Sequence, residues 1–345
     1  MTLKITSWNI EHSHRLGSED PSAHDLERIR RLRQTLTEIE PDVICLVEGP
    51  KGEVAIRAFC DRALENNWKP VLLSGPQDGS RDSDYETKGT QWIWFLVREP
   101  WFQRCELQAP QVWQCFTERV TWDVHYWGDL QSSRHSHYRH PQTLRVDVGG
   151  ETIELIGLHL KSKINRNAVS RDADGNIVDP YLEEALIARI KLATEARNVR
   201  RYIDARFNQS PAPGIVVMGD ANDGPGQDWF EQNYMFFDLV SNLQGNVFEA
   251  HRYLNHALFD FPDHLSWTAK YRDPVLEIPE SQNPLLIDHI LMSQPLVNGD
   301  LPLQAEAGAG RVEHEAFERG NAGSSSKTRT SDHRPVSLVL TPKVQ

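Results

Sequence analysis

The sequence predicts an α/β fold, on three observations. Short apolar runs of strand length alternate with amphipathic runs of helical spacing through both halves of the chain. No Gly/Ser linker splits that alternation, and no repeat of solenoid period is present. Polar residues stand repeatedly at the C-terminal ends of the strand-like runs, where an α/β sandwich collects its functional groups.

The elements follow in order. Residues 3–10 alternate and open the chain as a strand. Leu26, Ile29, Leu32, Leu36 and Ile39 recur at helical spacing between Asp25 and Ile39, ahead of Pro41. Val43 to Val47 reads as a buried strand ending at Glu48 and the Gly49-Pro50 turn. Val54 to Asn66 is a second amphipathic helix. Gln91 to Val97, Leu144 to Val148 and Glu151 to Leu160 read as strands, the last ending in His159-Leu160-Lys161. Tyr181 to Phe207 is a long, charge-laced helix. Ile215 to Met218 is a buried strand running into Gly219-Asp220-Ala221-Asn222. Leu286 to Met292 and Val336 to Leu340 complete the strand set. Three stretches read as inserted loops: 101–142, rich in Trp and His (Trp113, Trp122, Trp127, His135, His137, His140); the polar 163–180; and the Gly/Ser-rich 298–331. Loops this long are usually functional or mobile. Residues 1–345 are expected to form one domain around these insertions.

Composition narrows the class. Apolar residues make up 39% of 345 and the mean hydropathy is −0.54, which suits a soluble globular protein with polar loops. No run of about 18 apolar residues exists, so no membrane span is expected. Residues 1–8 enter a strand pattern without a basic, then apolar, leader, so no secretory signal is expected. The four cysteines lack metal-type spacing, and Cys45 falls inside an apolar strand. That suits a reducing, cytoplasmic compartment, with a Cys105–Cys115 bridge left open. A net charge of −12 argues against binding nucleic acid through bulk electrostatics. It is compatible with a nuclease whose carboxylates hold a metal and whose few Arg and Lys meet the substrate locally.

The chemistry concentrates at strand ends. Ser331-Asp332-His333-Arg334-Pro335 stands directly before the run Val336 to Leu340. Asp holds a metal or orients a ring, and His donates to a phosphate oxygen. Asn9, Glu48, His159, Asp220, Asn222 and Asp288 sit at or just past other strand ends. Phosphodiester hydrolysis needs a nucleophilic water, neutralisation of phosphoryl charge and help for the leaving oxygen. Glu48 is a hard carboxylate suited to a divalent metal with oxygen ligands, and Asn9 is able to complete such a shell. Asp220 and Asn222, two apart, aim into one cleft. Each has a plainer reading beside this one. Glu48 also suits a turn carboxylate, Asp220 and Asn222 an Asx-turn, and His159 a buried ring bonded to backbone.

Six short stretches, in this order, resemble the endonuclease/exonuclease/phosphatase superfamily of deoxyribonuclease I-like proteins. They are Ser7-Trp8-Asn9-Ile10, Leu46-Val47-Glu48, Gly157-Leu158-His159-Leu160-Lys161-Ser162, Met218-Gly219-Asp220-Ala221-Asn222, Ile287-Asp288-His289-Ile290-Leu291 and Ser331-Asp332-His333-Arg334-Pro335-Val336. The resemblance spans the chain and is closer in wording to bacterial nuclease-like members than to lipid-acting ones. It implies a four-layer α/β sandwich, with two packed mixed β-sheets flanked by helices. It implies Glu48 as principal metal ligand with Asn9 and Asp332 beside it, and Mg2+ or Mn2+ as the metal. It implies Asp220 as the group that activates water, Asn222 as a ligand of phosphate or metal, and Asp288–His333 as a carboxylate–imidazole pair. His159 then helps the leaving group or binds phosphate. Val47 stands where the family usually has Gln, which loosens the shell around that Glu.

Weaker signals surround these. Arg139, Lys161, Lys163 and Arg166 flank the His159 strand end and suit phosphate contacts. Trp267, ahead of the Asp288 strand, suits a cleft wall. The Trp residues of 113–127 suit base stacking or a small core of their own. Asp172, Asp174, Asn176 and Glu183 fall at calcium-loop positions, but Ile177 stands where the turn needs Gly, so this reads as a polar turn. His12 and His14 read as a solvated loop. The leading expectation is a metal-dependent phosphodiester hydrolase acting on DNA or RNA. The alternatives are a phosphatase or phosphodiesterase of a small or lipid phosphate, and a catalytically silent binding protein on the same fold.

Overall fold

The computed structural model describes residues 1–117, 121–126, 132–210, 212–226, 228–235, 238 and 240–343. In chain order the strands of the first half are β1 (Leu3–Asn9), β2 (Val43–Gly49), β3 (Lys69–Pro70), β4 (Trp92–Val97), β5 (Cys105–Gln108), β6 (Thr121–His125), β7 (Ser132–Ser136) and β8 (Gln142–Val148). Those of the second half are β9 (Glu151–His159), β10 (Gly214–Asp220), β11 (Asn255–His256), β12 (Ala269–Lys270), β13 (Pro284–Leu285), β14 (Asp288–Met292), β15 (Leu303–Val312) and β16 (Val336–Pro342). The helices are α1 (Ala23–Ile39), α2 (Glu53–Leu64), α3 (Pro110–Thr117), α4 (Tyr181–Gln209), α5 (Ser241–Gln244), α6 (Gln294–Asn298) and α7 (His314–Gly320).

Among the described residues the strands form two six-stranded mixed sheets, ordered β15-β16-β1-β2-β4-β3 and β11-β14-β10-β9-β8-β5. Each has one parallel pair at its centre, β1 with β2 and β9 with β10, flanked by antiparallel partners. The sheets pack face to face, and helices cover their outer faces. Side-chain alternation shows both contacts. In β10, Val216 and Met218 join the core between the sheets, while Ile215 and Val217 pack under α4 with Leu192, Ala196 and Val199. In β9, Ile153 and Leu155 face inward, and Ile156 and Leu158 face α4. Gly157 lets the sheets approach: a Cβ there would lie 2.9 Å from Cys45 Sγ and from Ile93. The fold is therefore the expected four-layer α/β sandwich.

Helix α1 begins with a capping box between Ser22 and Asp25. Ile29, Leu32, Leu36 and Ile39 form its buried stripe, whereas Leu26, expected on that face, is exposed. Residues 298–331, read from sequence as a loop, carry β15 and α7. The ten-residue strand β15 forms the edge of the first sheet, with a register shift between Ala305 and Gly310. Its Ala/Gly-rich sequence hides a strand that pairing with β16 enforces. Residues 101–142 likewise contain edge strand β5, α3 and the β6–β7 hairpin. Trp113 stacks on Tyr202 at 4.7 Å and meets His140 edge-on, and Trp122 meets His137. These aromatics form a small core against α4. Trp127 lies outside the described residues. Within 163–180, Asp172 accepts from the backbone of Asp174 and Asn176 in a polar turn, while Ile177 is buried beside Tyr181 and Phe230. Cys105 and Cys115 are free thiols, so the bridge left open by the sequence is absent.

Candidate active site

Strand register assembles the site. In the second sheet His159 of β9 lies beside Asp220 of β10, and Asp220 lies beside Asp288 of β14. The three polar side chains form one row across adjacent strands. In the first sheet Asn9 of β1 is level with Val47 of β2, so Glu48 follows directly at the neighbouring strand end. Glu48 adopts φ 60, at a break in the β2–β4 pairing between Leu46 and Gly49. The sheets are joined across the site by Asn9, whose Nδ2 donates to Asp220 Oδ2 at 2.9 Å.

His333 closes the row from the segment before β16. Its Nδ1 lies 2.7 Å from Asp288 Oδ2. Burial opposes the imidazolium, but the Asp288 charge outweighs it and pushes His333 up to about 10. The ring therefore carries a proton on each nitrogen at neutral pH. Asp288 is itself fixed by its backbone N–H, which donates to Thr268 Oγ1 at 3.1 Å. Burial pushes the Asp220 carboxyl upward, and the Asp288 charge adds to this. Its Oδ1 accepts the backbone N–H of Asn222 at 2.8 Å. Burial lowers His159 well below its ordinary value, with Arg139 and His333 acting the same way. A neutral His159 makes no ion pair with Asp220, despite the 3.6 Å separation of Nε2 and Oδ2.

Asn222 has φ 55 and donates through Nδ2 to Leu160 O at 3.0 Å. With the Asp220 contact this is an Asx-turn closing the strand, so a phosphate contact from Nδ2 has to exchange the Leu160 bond. Asp332 accepts from the Tyr271 hydroxyl at 3.0 Å, and that hydroxyl also lies 2.8 Å from His333 Nε2. Arg139 bonds Gln91 through Nη2 and leaves Nε buried without an acceptor, within the fields of Glu48, Asp220 and Glu195. Lys161 extends its Nζ to Ser162 O, while its backbone N–H donates to Glu195.

Two expected phosphate contacts differ from the rest. Lys163 is not free to grip phosphate. Its Nζ is bonded to Asp223 and Asp228, and Arg189 joins Asp228 from α4. Arg166 is exposed and lies outside this network. Trp267 is half-buried beneath Arg334 at 4.1 Å and Lys270 at 4.4 Å. Arg334 follows His333, and its backbone N–H donates to Thr268 O, so Trp267 stands beside the site.

Sequence reading missed Tyr271, Thr268, Ser331 and Glu195. Ser331 Oγ donates to Asn9 O at 2.6 Å and accepts the His333 N–H at 3.0 Å. Glu195 carried a visible signal, since it interrupts the apolar stripe Leu192, Ala196, Val199, Ile203. The others depend on contacts between distant segments.

The residues fit a hard divalent cation. Asn9 Oδ1 is a buried oxygen without a partner, and the Glu48 carboxylate makes no hydrogen bond or ion pair among the described residues. Ser331 ties Asp332 to the same corner through Asn9. Asp220, Asp288 and His333 also gather their polar atoms within 4.8 Å. His333 is protonated and held by Asp288, so this second group suits proton handling better than ligation.

No protein-family model matches the chain, and no curated protein matches it. Solved structures do. Truncated Caenorhabditis elegans TDP2 aligns with a TM-score of 0.52 at 13% identity, over 99% of this chain and 97% of that one. D. rerio TDP2 complexed with single strand DNA product aligns with a TM-score of 0.50 at 14% identity, over 99% of both chains. The chain shares the fold of these TDP2 structures. The resemblance carried by the six short stretches and the architecture thus agree. Within this fold, the first-sheet corner and the second-sheet row face each other through the Asn9–Asp220 bond. Among the described residues no helix is long and apolar enough to cross a membrane.

Proposed function

We propose that the protein is a divalent-metal-dependent phosphodiester hydrolase acting on nucleic acid, most simply a DNA or RNA nuclease. The observation that carries this reading is the row His159–Asp220–Asp288, with Asn9 bonded to Asp220 and His333 bonded to Asp288. Glu48, Asn9 and Asp332 would hold Mg2+ or Mn2+, which neutralises phosphoryl charge and favours the leaving oxygen when bound. Asp220, whose proton affinity is raised by burial, takes the proton of the attacking water. Asn9 Nδ2 fixes the orientation of that carboxylate. His333, kept cationic by Asp288, donates from Nε2 to a phosphoryl oxygen once Tyr271 yields its place. Arg139 offers its unpartnered Nε to another. His159, being neutral, and Asn222 act as hydrogen-bonding groups around the phosphate. Lys161, Arg166 and Trp267 line the approach. Residues 1–345 act as one unit in this reading, because the site draws on both sheets.

The single-stranded DNA in the D. rerio TDP2 structure supports a nucleic-acid substrate. The net charge of −12 favours the second reading, hydrolysis of a small or lipid phosphate. Four free thiols, with Cys45 and Cys60 buried, support a reducing cytoplasmic setting. The test is a panel of plasmid, single-stranded DNA, RNA and a small generic phosphodiester, with Mg2+ or Mn2+ and an Asp220→Ala control. Metal-dependent cleavage of nucleic acid, abolished by chelator and by Asp220→Ala, is expected. Cleavage of the small diester alone moves the assignment to the second reading. No cleavage and no metal-linked stabilisation point to a silent binding protein.

A further inference from the structure

A cavity of about 310 Å3 opens between the turn after β1, the start of α1 and the segment before Asp332. Its wall carries Arg15, Arg28, Lys327 and Arg329, with the imidazoles of His12 and His24. The carboxylates there are Glu11 and Asp25. Both are engaged: Glu11 lies 3.4 Å from His12 Nε2, and Asp25 closes the α1 capping box with Ser22. Asp25 thereby occupies the helix N-terminus, so any attraction for an anion comes from the side-chain cations. Four permanent cations against two carboxylates make a positive hollow on a chain of net charge −12.

Arg28 gives the hollow a built donor. Only 6% of the residue is exposed. Its Nε donates to Arg329 O at 3.0 Å, and its Nη2 donates to Thr330 O at 2.9 Å and to Glu11 O. Among the described residues no carboxylate neutralises it by ion pairing, and Nη1 has no acceptor. Burial lowers its proton affinity, and the Arg15 and Arg329 charges add to that against Glu11 and Asp25. Arg329 Nε is a further buried donor without an acceptor. A guanidinium pinned by carbonyls, crowded by like charge and left with a free donor is the group that an oxyanion satisfies. The pinning carbonyls place the hollow. Glu11 is two residues past Asn9, and Arg329 and Thr330 immediately precede Ser331-Asp332-His333.

We propose that this cavity binds a second phosphate of the substrate strand, adjacent to the one that is cut. The proposal rests on the nucleic-acid reading above. An internal backbone phosphate and a terminal phosphate share this chemistry, and the test separates them. Binding is measured by fluorescence anisotropy in EDTA, so that nothing is cut. The probes are labelled single-stranded oligonucleotides with a 5′-phosphate, a 3′-phosphate, or hydroxyls at both ends. The main variant is Arg15→Ala with Lys327→Ala, both exposed side chains without partners among the described residues. Arg28→Lys, which keeps the charge and removes the fork, is the second.

Each variant should bind about tenfold more weakly, and the salt dependence of the double variant should flatten by about 0.7 in log–log slope for each phosphate no longer neutralised, while Arg28→Lys keeps the wild-type slope. Equal weakening on all three probes identifies an internal phosphate; weakening confined to one end-phosphorylated probe identifies a terminal one. The KM for cleavage of the oligonucleotide should rise more than the KM for a small diester. If the enzyme cuts nucleic acid but the double variant keeps wild-type Kd and salt slope on every probe, the subsite is overturned alone. If the wild-type protein neither binds nor cuts any of them, the nucleic-acid reading falls and the subsite falls with it.

Discussion

Glu195→Gln probes the electrostatics beside the row of polar strand ends formed by His159, Asp220 and Asp288. Glu195 is buried on α4, with Oε2 accepting the Lys161 N–H at 2.8 Å and Oε1 without a partner. Burial pushes its carboxyl up to about 7, against the charges of Lys191, Arg139 and Lys161, which pull it down. An ordinary Glu titrates at 4.5. Between those values the folded protein binds more protons than the unfolded chain. The Glu195 contribution to stability is therefore fully present below about pH 4.5 and is lost as pH rises through about 7. The interval corresponds to about 3 kcal/mol. With an unfolding entropy of about 0.7 kcal/mol/K for a chain of this length, that is about 4 °C in melting temperature. Gln cannot ionise, so its variant lacks this term. An amide at Oε1 adds its own cost for an unpaired donor, about 1–3 kcal/mol, but that cost does not change with pH. Melting both proteins in EDTA at about pH 4.5 and pH 8 isolates the difference. The wild-type drop between the two pH values should exceed the variant's by about 4 °C. Parallel curves would show Glu195 ionising as an ordinary carboxylate and would refute the reasoning.

Further outcomes are expected at the site and its rim. Asp220→Asn should lose roughly two or more orders of magnitude in kcat without a lower melting temperature, since it removes one of two like charges; a stable, fully active variant would exclude Asp220 as the base. His333→Ala should lose as much rate. It should also melt several degrees lower, because Asp288 keeps a buried charge without its cation. Lys163→Met should destabilise the fold by about 3–5 kcal/mol by stranding Asp223 and leaving Asp228 to Arg189 alone, whereas Arg166→Ala should alter oligonucleotide binding alone; thermal melts beside binding assays distinguish the two roles. Tyr271→Phe should lower the KM for a small diester by about threefold to tenfold, because substrate no longer displaces the hydroxyl from His333 Nε2. A raised KM would instead make Tyr271 a substrate contact.

The parts legible in the sequence were those set by local pattern. Asn9, Glu48, His159, Asp220, Asp288 and His333 each follow or precede a run of buried apolar residues, and the structure gathers them at adjoining strand ends. Period-two alternation also assigns Ile215 and Val217 to one face of β10, and Val216 and Met218 to the other. What escaped was set by partners remote in sequence. The strand β15 has weak β-forming residues and exists because β16 offers it a ladder. Lys163 resembles any surface cation until Asp223, Asp228 and Arg189 converge on it. Tyr271 has no distinguishing neighbours, and only the closure of its loop sets the hydroxyl between Asp332 and His333.

The side-by-side pairing of β1 and β16 has a consequence for synthesis. Trp8 Nε1 donates to His333 O at 2.9 Å, and Ser331 Oγ donates to Asn9 O, across separations of 325 and 322 residues. Strand β1 waits for β16, made far later, and contacts of such range form late in folding. A chain severed before Ser331 retains Asn9, Glu48, Asp220 and Asp288 but has neither His333 nor the ladder that seats β1. Such a fragment should be inert in cleavage assays. A nascent chain whose β16 has not yet emerged is in the same condition, with neither His333 nor the β16 ladder in place.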